Sequence, residues 1–92
     1  MTEGEVQQAE QRAATAKQIL DQPMIREAFE ELDARCWRAF KGLPVTDSEA
    51  RESIALLLRA QQDFRSYFEA LVEHGKTARL KFEHDNRKHN RA

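Results

Sequence analysis

Chemistry in this chain of 92 residues would have to come from three histidines, one cysteine and a group of carboxylates. His74, His84 and His89 do not lie three or four residues apart on one predicted helix face, so their spacing does not indicate a paired metal site. Cys36 lies on an apolar stripe, where a small buried side chain is its usual role, and no histidine is near it in the sequence to activate a thiol. A single cysteine also excludes an intrachain disulfide and a cysteine-based zinc site.

The carboxylates favour a structural role as well. Between residues 26 and 38 they alternate with arginines on the outward face of a predicted helix, as solvated ion pairs do. These residues are Arg26, Glu27, Glu30, Glu31, Asp33, Arg35 and Arg38. Gly75-Lys76 lacks the further glycines and the preceding strand of a phosphate loop. We therefore expect a protein that is not an enzyme, with no metal site and no cofactor.

Composition narrows the class of protein. Apolar residues make up 40% and charged residues 34% of the chain, which is too polar for a membrane protein and too apolar for a chain that is disordered throughout. No stretch has the roughly 20 apolar residues of a membrane span, and the first residues lack the basic flank and apolar centre of a secretory signal. Three glycines, two prolines and few β-branched residues favour an all-α domain.

Charge is distributed unevenly along the chain. Residues 1–75 carry nine Lys and Arg against fourteen Asp and Glu, whereas residues 76–92 carry six against two. We predict that this basic end contacts an acidic surface or DNA phosphates, with a solvated helix end as the alternative. Because no aromatic residue follows Phe82, any DNA binding should be nonspecific and salt-sensitive. The basic residues are Lys76, Arg79, Lys81, Arg87, Lys88 and Arg91.

The strongest turn separates two helical regions. Gly42 is suited to a left-handed cap that ends a helix, and Pro44 excludes its continuation. A capping box formed by Thr46 and Glu49 is predicted to start the next helix.

That next helix is predicted over about 47–84. Its apolar residues alternate in steps of four and three, as in the heptad seam of a coiled coil. The seam comprises Ala50, Ile54, Leu57, Gln61, Phe64, Phe68, Leu71, Gly75, Ala78 and Phe82. Gln61 is its one polar member after the turn, so its replacement by leucine is expected to be tolerated or stabilising. The basic tail, 84–92, has no apolar face and is expected to fray.

Two shorter apolar stripes precede the turn. They predict helices over about 4–20 and 22–41, separated at Pro23, whose ring would clash with the carbonyl of Ile19 in a continuous helix. The first arm is therefore kinked or broken there. Its total length matches that of the long helix, which favours an antiparallel helical hairpin over a three-helix bundle. The pattern leaves open whether the arm before Pro23 stays collinear or folds back as a third bundle helix.

A hairpin with this turn pairs large side chains near the turn and small ones at its open end. Leu32 falls opposite Leu57, whereas the alanines of the first helix fall opposite Gly75 and Ala78. Two antiparallel helices leave one side of each seam uncovered. We expect oligomerisation or docking on a partner to complete the core of this single domain, 1–83.

Three large side chains lie just off the seam and are predicted to contact that partner. They are Trp37, Tyr67 and Leu80. For Trp37, a place on the flank of the protein's own core is an equal alternative.

Short motifs in both arms carry a family resemblance over about residues 13–82. They are Ile19-Leu20, Pro23, Glu27-Ala28-Phe29, Leu32 and Trp37, then Asp47 and Glu49-Ala50-Arg51-Glu52, and finally Gly75-Lys76 with Ala78. Together they resemble a group of short, uncharacterised helical proteins of tailed bacteriophages, which are encoded among head, packaging and virion genes. The resemblance implies a noncatalytic accessory or virion-associated protein that acts in the virion or the bacterial host cytoplasm. Its expected partners are itself and phage structural proteins.

Two other functions remain open from the sequence. One is a small DNA-associated packaging or regulatory protein that binds phosphate through the basic end. The other is a phage inhibitor of a host complex, whose acidic body imitates nucleic acid.

Overall fold

A computed structural model describes residues 1–90 of the chain. It contains three helices: α1, Glu3–Asp21; α2, Pro23–Gly42; and α3, Ser48–Asn90. Within this part of the chain no strand is present, so the prediction of an all-α fold with three helices is confirmed. The molecule measures 68 × 27 × 14 Å, which is the shape of a single layer of helices. α1 packs along the second half of α3, and α2 packs along its first half.

The joint between α1 and α2 is a single residue. Gln22 has an extended backbone with φ −65° and ψ 127°, and its N–H donates to the carbonyl of Ile19 at 3.3 Å. Pro23 is the first residue of α2, where the missing N–H costs nothing because the first N–H groups of a helix have no intrahelical partner. Proline therefore ends one helix and begins the next within one residue.

The turn after α2 differs from the prediction. Gly42 is the last residue of α2, and no residue with positive φ occurs among residues 1–90, so the predicted left-handed cap is wrong. Leu43 ends the helix with an extended backbone, φ −82° and ψ 142°, and its N–H donates to the carbonyl of Phe40 at 3.2 Å. Pro44 explains this ending because the residue before a proline is sterically driven into the extended region.

The start of α3 is capped by an aspartate. The N–H of Ala50 donates to Asp47 Oδ1 at 3.2 Å, so the predicted capping box of Thr46 and Glu49 is wrong. A carboxylate is a strong N-cap because its negative charge also meets the positive end of the helix dipole.

A true capping box begins α1 instead. Thr2 Oγ1 accepts from the N–H of Glu5 at 3.2 Å, and Glu5 Oε1 accepts from the N–H of Thr2 at 3.4 Å. The sequence Thr-x-x-Glu at residues 2–5 has the spacing of this motif.

The polar end of α3 stays helical. α3 continues to Asn90, beyond the predicted end near residue 84. No glycine or proline follows Gly75, and extending an existing helix adds one hydrogen bond for each residue fixed. Arg79 bonds to both Glu10 and Glu3, and α1 begins at Glu3, so the last turns of α3, after about residue 83, project beyond α1.

The two halves of the layer pack at different distances. Between α1 and α3 the buried side chains are small, namely Val6, Ala9, Ala16 and Ala78. A Cβ added at Gly75 would lie 2.5 Å from Ala13 Cβ and 3.2 Å from the carbonyl oxygen of Ala9. By contrast, no residue of α2 is buried. The helices are therefore in close contact at the α1 end and more widely separated at the α2 end.

This contact makes Gly75 sensitive to a single methyl group. We expect Gly75→Ala to lower the free energy of unfolding by about 1 to 3 kcal/mol, as overpacking does, despite the gain of about 1 kcal/mol in helix propensity. For a domain of this size each kcal/mol changes Tm by about 4–8 °C. Thermal unfolding followed by circular dichroism measures this change in Tm.

Gly42→Ala is the matched control. No atom lies within 4 Å of a Cβ added there, so this variant should be as stable as the natural chain or slightly more stable. Equal Tm values for Gly75→Ala and Gly42→Ala would contradict the close packing of α1 on α3.

Candidate functional site

The residues suited to chemistry are not gathered into one cluster. Among the described residues no three His, Cys, Asp or Glu side chains lie close enough to hold a metal ion. Cys36 is half-buried beside apolar residues of α2 and α3. His74 lies far from it, beside Met1 and Leu71. No helix in the described part of the chain is long and apolar enough to cross a membrane.

A large concave feature of the described residues is an open groove between α2 and α3, called here the α2–α3 groove. Its volume is about 560 Å³. α2 contributes Ile25, Ala28, Phe29, Leu32 and Cys36; α3 contributes Leu57, Ala60, Gln61, Phe64 and Phe68; and α1 contributes Ile19. The side chains of Leu32, Leu57 and Phe64 are 45%, 61% and 59% exposed. Leu57 and Phe64 were expected to face the opposite helix as core residues, but both face solvent on one side.

Aromatic side chains keep the groove open. The ring of Phe29 lies against Phe64 with centroids 6.1 Å apart, and Phe64 meets Phe68 edge-on at 5.3 Å. Helix axes separate according to the size of the side chains between them. α2 therefore cannot approach α3 as closely as α1 does through alanine and glycine, and the space between the helices remains uncovered.

Polar contacts close the opposite face of the layer. Gln61 Nε2 donates to Asp33 Oδ1 at 2.7 Å and to the carbonyl of Phe29 at 3.1 Å. The guanidinium of Arg65 lies 4.5 Å from the centre of the Phe29 ring and 4.0 Å from the Asp33 carboxylate. Gln61, the polar residue of the predicted seam, thus joins α2 to α3, and Gln61→Leu would remove both hydrogen bonds. The expectation that such a change is tolerated therefore loses its physical basis.

Of the predicted partner contacts, Tyr67 lies on the groove side. It follows Ala60 by seven residues, which returns it to the same helix face, and its ring packs edge-on against Phe68 at 5.6 Å. Its side chain is 58% exposed. Tyr67 therefore extends the apolar surface of the groove.

The other two predicted contacts lie elsewhere. Trp37 is four residues after Asp33 and shares its polar face, where its ring packs edge-on against Phe40 at 5.8 Å. Leu80 is four residues after Lys76 and about 20 Å along α3 from Tyr67. Both are exposed, but the fold does not unite these three residues in one patch.

Arg79, one of the predicted phosphate contacts, is engaged within the protein. Its guanidinium donates to both carboxylate oxygens of Glu10, at 2.6 and 3.3 Å, and to both of Glu3, at 3.0 and 3.3 Å. The hydrogen bond from Arg79 and its positive charge lower the pKa of the Glu10 carboxyl, and the two carboxylates raise the pKa of Arg79. This cluster ties the first turns of α1 to α3.

The remaining cations of the basic end lie on the surface. Lys76 Nζ is 3.5 Å from Glu73 Oε1, and both side chains are largely exposed. Lys81 is exposed near the start of α1, and Arg87 and Lys88 are exposed on the part of α3 that projects beyond α1. The sixth predicted residue, Arg91, lies outside the described residues.

The Glu10–Arg79 pair makes stability depend on pH. Because the folded-state pKa of Glu10 is lowered, its stabilisation is present above the unfolded value near 4.5 and is lost as pH falls through the folded value. We expect Glu10→Gln to melt below the natural chain at pH 7 and the difference to narrow as the pH falls below about 4.5. Thermal unfolding across this range measures it.

Glu52→Gln is the control for this measurement. Glu52 is exposed on α3. Its replacement, made in both the natural chain and the Glu10→Gln variant, should leave the difference between their melting temperatures unchanged. A difference for Glu10→Gln that persists undiminished at pH 3 would show that the charge of Glu10 is not responsible.

Comparisons of the chain with models of protein families, with curated proteins and with solved structures gave no significant match. The function must therefore be inferred from the chain's own residues, and the resemblance to phage proteins remains an expectation.

Proposed function

We propose that the chain is a noncatalytic accessory protein that acts through protein–protein contacts of a helical hairpin. The α2–α3 groove supports this proposal. Its exposed leucine and phenylalanine side chains form a continuous apolar surface with Tyr67 at its edge. Contiguous apolar surfaces of this kind mark sites where another protein binds, because water is released when they are covered.

The proposal includes the setting implied by the resemblance to phage proteins. The protein acts in the virion or in the cytoplasm of the bacterial host, and its partners are itself or phage structural proteins. A partner on the groove supplies the layer that the two helical arms do not provide for themselves. The hairpin is thus completed by oligomerisation or docking.

Binding to DNA is the second candidate, and the projecting end of α3 favours it. Lys88 lies on this end, and Lys81 lies two helical turns before it on the same exposed face of α3. If they bind phosphate, affinity for a short DNA duplex should fall steeply between low and high salt and vanish when residues 84–92 are deleted. Fluorescence anisotropy measures this, and no binding at low salt removes the candidate.

Capture of partners from the lysate of an infected host tests the first proposal. We expect the immobilised chain to retain phage structural proteins and the Phe64→Glu variant to lose them. Binding would bury the new carboxylate in the groove, and burying a charge without an opposite charge beside it costs free energy. Leu80→Glu is the matched control: Leu80 is 66% exposed and lies away from the groove, so retention should persist.

Two results would contradict this proposal. Retention of a single host complex would favour an inhibitor, and equal retention by both variants would show that the groove is not the contact surface. Quantitative mass spectrometry of the retained proteins distinguishes these outcomes.

A further inference from the structure

We propose that the groove face of the layer binds one long-chain fatty acid, with its acyl chain in the α2–α3 groove and its carboxylate at Arg12. This site goes beyond the protein contacts proposed above and does not rest on them, because binding the acid needs no partner protein. The length of the apolar surface, the single charge at its end and the different chemistry of the opposite face each support this occupant.

The apolar surface of the α2–α3 groove continues along the layer into a second concave region, between α1 and α3. Ile19 and Phe68 line both regions, so the two adjoin. The second region has a volume of about 330 Å³ and extends to Leu71. The two regions together are called here the apolar trough. From Leu57 to Leu71 the trough follows α3 for about 20 Å.

This length suits one acyl chain. Two chains laid end to end span the roughly 30 Å hydrocarbon core of a bilayer, so a single chain is about 15 Å long and slightly longer when fully extended. The trough therefore accommodates a whole chain and leaves room for a carboxylate at its end. The volume of the α2–α3 groove, about 560 Å³, also lies within the usual range of sites for small molecules.

Arg12 supplies the charge at one end of the apolar trough. Within the described part of the chain the other residues that line the trough are uncharged, and the Arg12 guanidinium forms no ion pair. Glu5 lies about 10 Å before it along α1, and its carboxylate accepts a hydrogen bond from the N–H of Thr2. One cation at the end of an apolar surface matches an amphiphile with one anionic group at the end of an apolar chain.

Arg12 also marks the place where the apolar surface ends. On its other side lies a further concave region, lined in part by Glu5, Gln8 and His74. A carboxylate at Arg12 would therefore remain among polar groups and water while the acyl chain is covered by the trough. The charged group of the acid would then be paired without being fully desolvated, which avoids the main cost of binding an ion.

The opposite face of the layer has different chemistry. The contacts that join α3 to its neighbours lie there, for example Gln61 with Asp33 at 2.7 Å. The concave region beside Phe29 on this face is lined by two arginines and by four carboxylates, which would repel a fatty acid. These charged residues are Arg26, Arg65, Asp21, Glu30, Asp33 and Glu69. A fatty acid should therefore select the groove face.

NMR titration of the purified full chain with myristate, labelled with carbon-13 at its carboxyl carbon, tests the site. We expect saturable binding of one acid per chain with a Kd of about 100 µM, the strength with which a single myristoyl chain binds a membrane. The trough covers less of the chain than a membrane does, but Arg12 adds an ion pair. Beside Arg12 the carboxyl group should also titrate at a lower pH than in the free acid, because a positive charge favours the carboxylate.

Replacing Arg12 separates the contribution of its charge from that of the apolar contacts. Arg12→Gln should weaken myristate binding by about tenfold and abolish the shift in the carboxyl titration, whereas Arg12→Lys should bind within about threefold of the natural chain. Arg26→Gln is the matched control, since Arg26 is also exposed but lies on the opposite face, and its affinity should be unchanged.

Myristyl alcohol is the matched ligand, with the same chain and no charge. It should bind the natural chain and Arg12→Gln with equal affinity. Both arginines are exposed, so all three variants should keep the helical circular dichroism of the natural chain.

Several results would overturn the inference. They are no binding of myristate, binding without saturation, equal affinity of the natural chain and Arg12→Gln for the acid, and an equal loss of affinity in Arg26→Gln. The protein contacts proposed above are tested separately. A chain that binds no acid but retains phage proteins through the groove removes the fatty-acid site alone.

Discussion

The close approach of α1 and α3 is the constraint on which the rest of the structure depends. Gly75 has no side chain where α3 meets Ala13 and the backbone of Ala9, so the two helices come together with almost nothing between them. Arg79, one turn further along, joins α1 through Glu10 and Glu3. With α1 fixed in this way, the one-residue joint at Gln22 determines where α2 must begin, beside the first half of α3.

The groove is a direct result of that constraint. α3 is one continuous helix, so the side chains between it and its neighbours determine the separation at each level. Glycine and alanine at one end allow α1 to pack close to α3, whereas Phe29, Phe64 and Phe68 at the other end keep α2 further from it. An apolar cleft therefore opens between α2 and α3. The phenylalanine side chains there are too large for the two backbones to approach closely and too few to bury one another.

The sequence predicted the helices well because apolar periodicity and proline report on local backbone structure. It also indicated the meeting of alanines with Gly75. It did not predict the groove, since periodicity shows which residues face a neighbouring helix but not the distance to it. The Arg79–Glu10 contact joins residues 69 positions apart, and no local pattern identifies such a pair. The cap at Asp47 was missed because Thr46, beside it, also fits a capping motif.

The uneven packing along the layer also gives the molecule a gradient of local stability. α2 buries no residue of its own and is held by Gln61 and by partly exposed aromatic contacts, whereas α1 is held by a buried seam of small side chains and a multidentate ion pair. Local opening starts where few apolar contacts must be broken. An isolated chain would therefore begin to unfold at α2, leaving α1 and α3 joined, and exchange its backbone amide hydrogens fastest there.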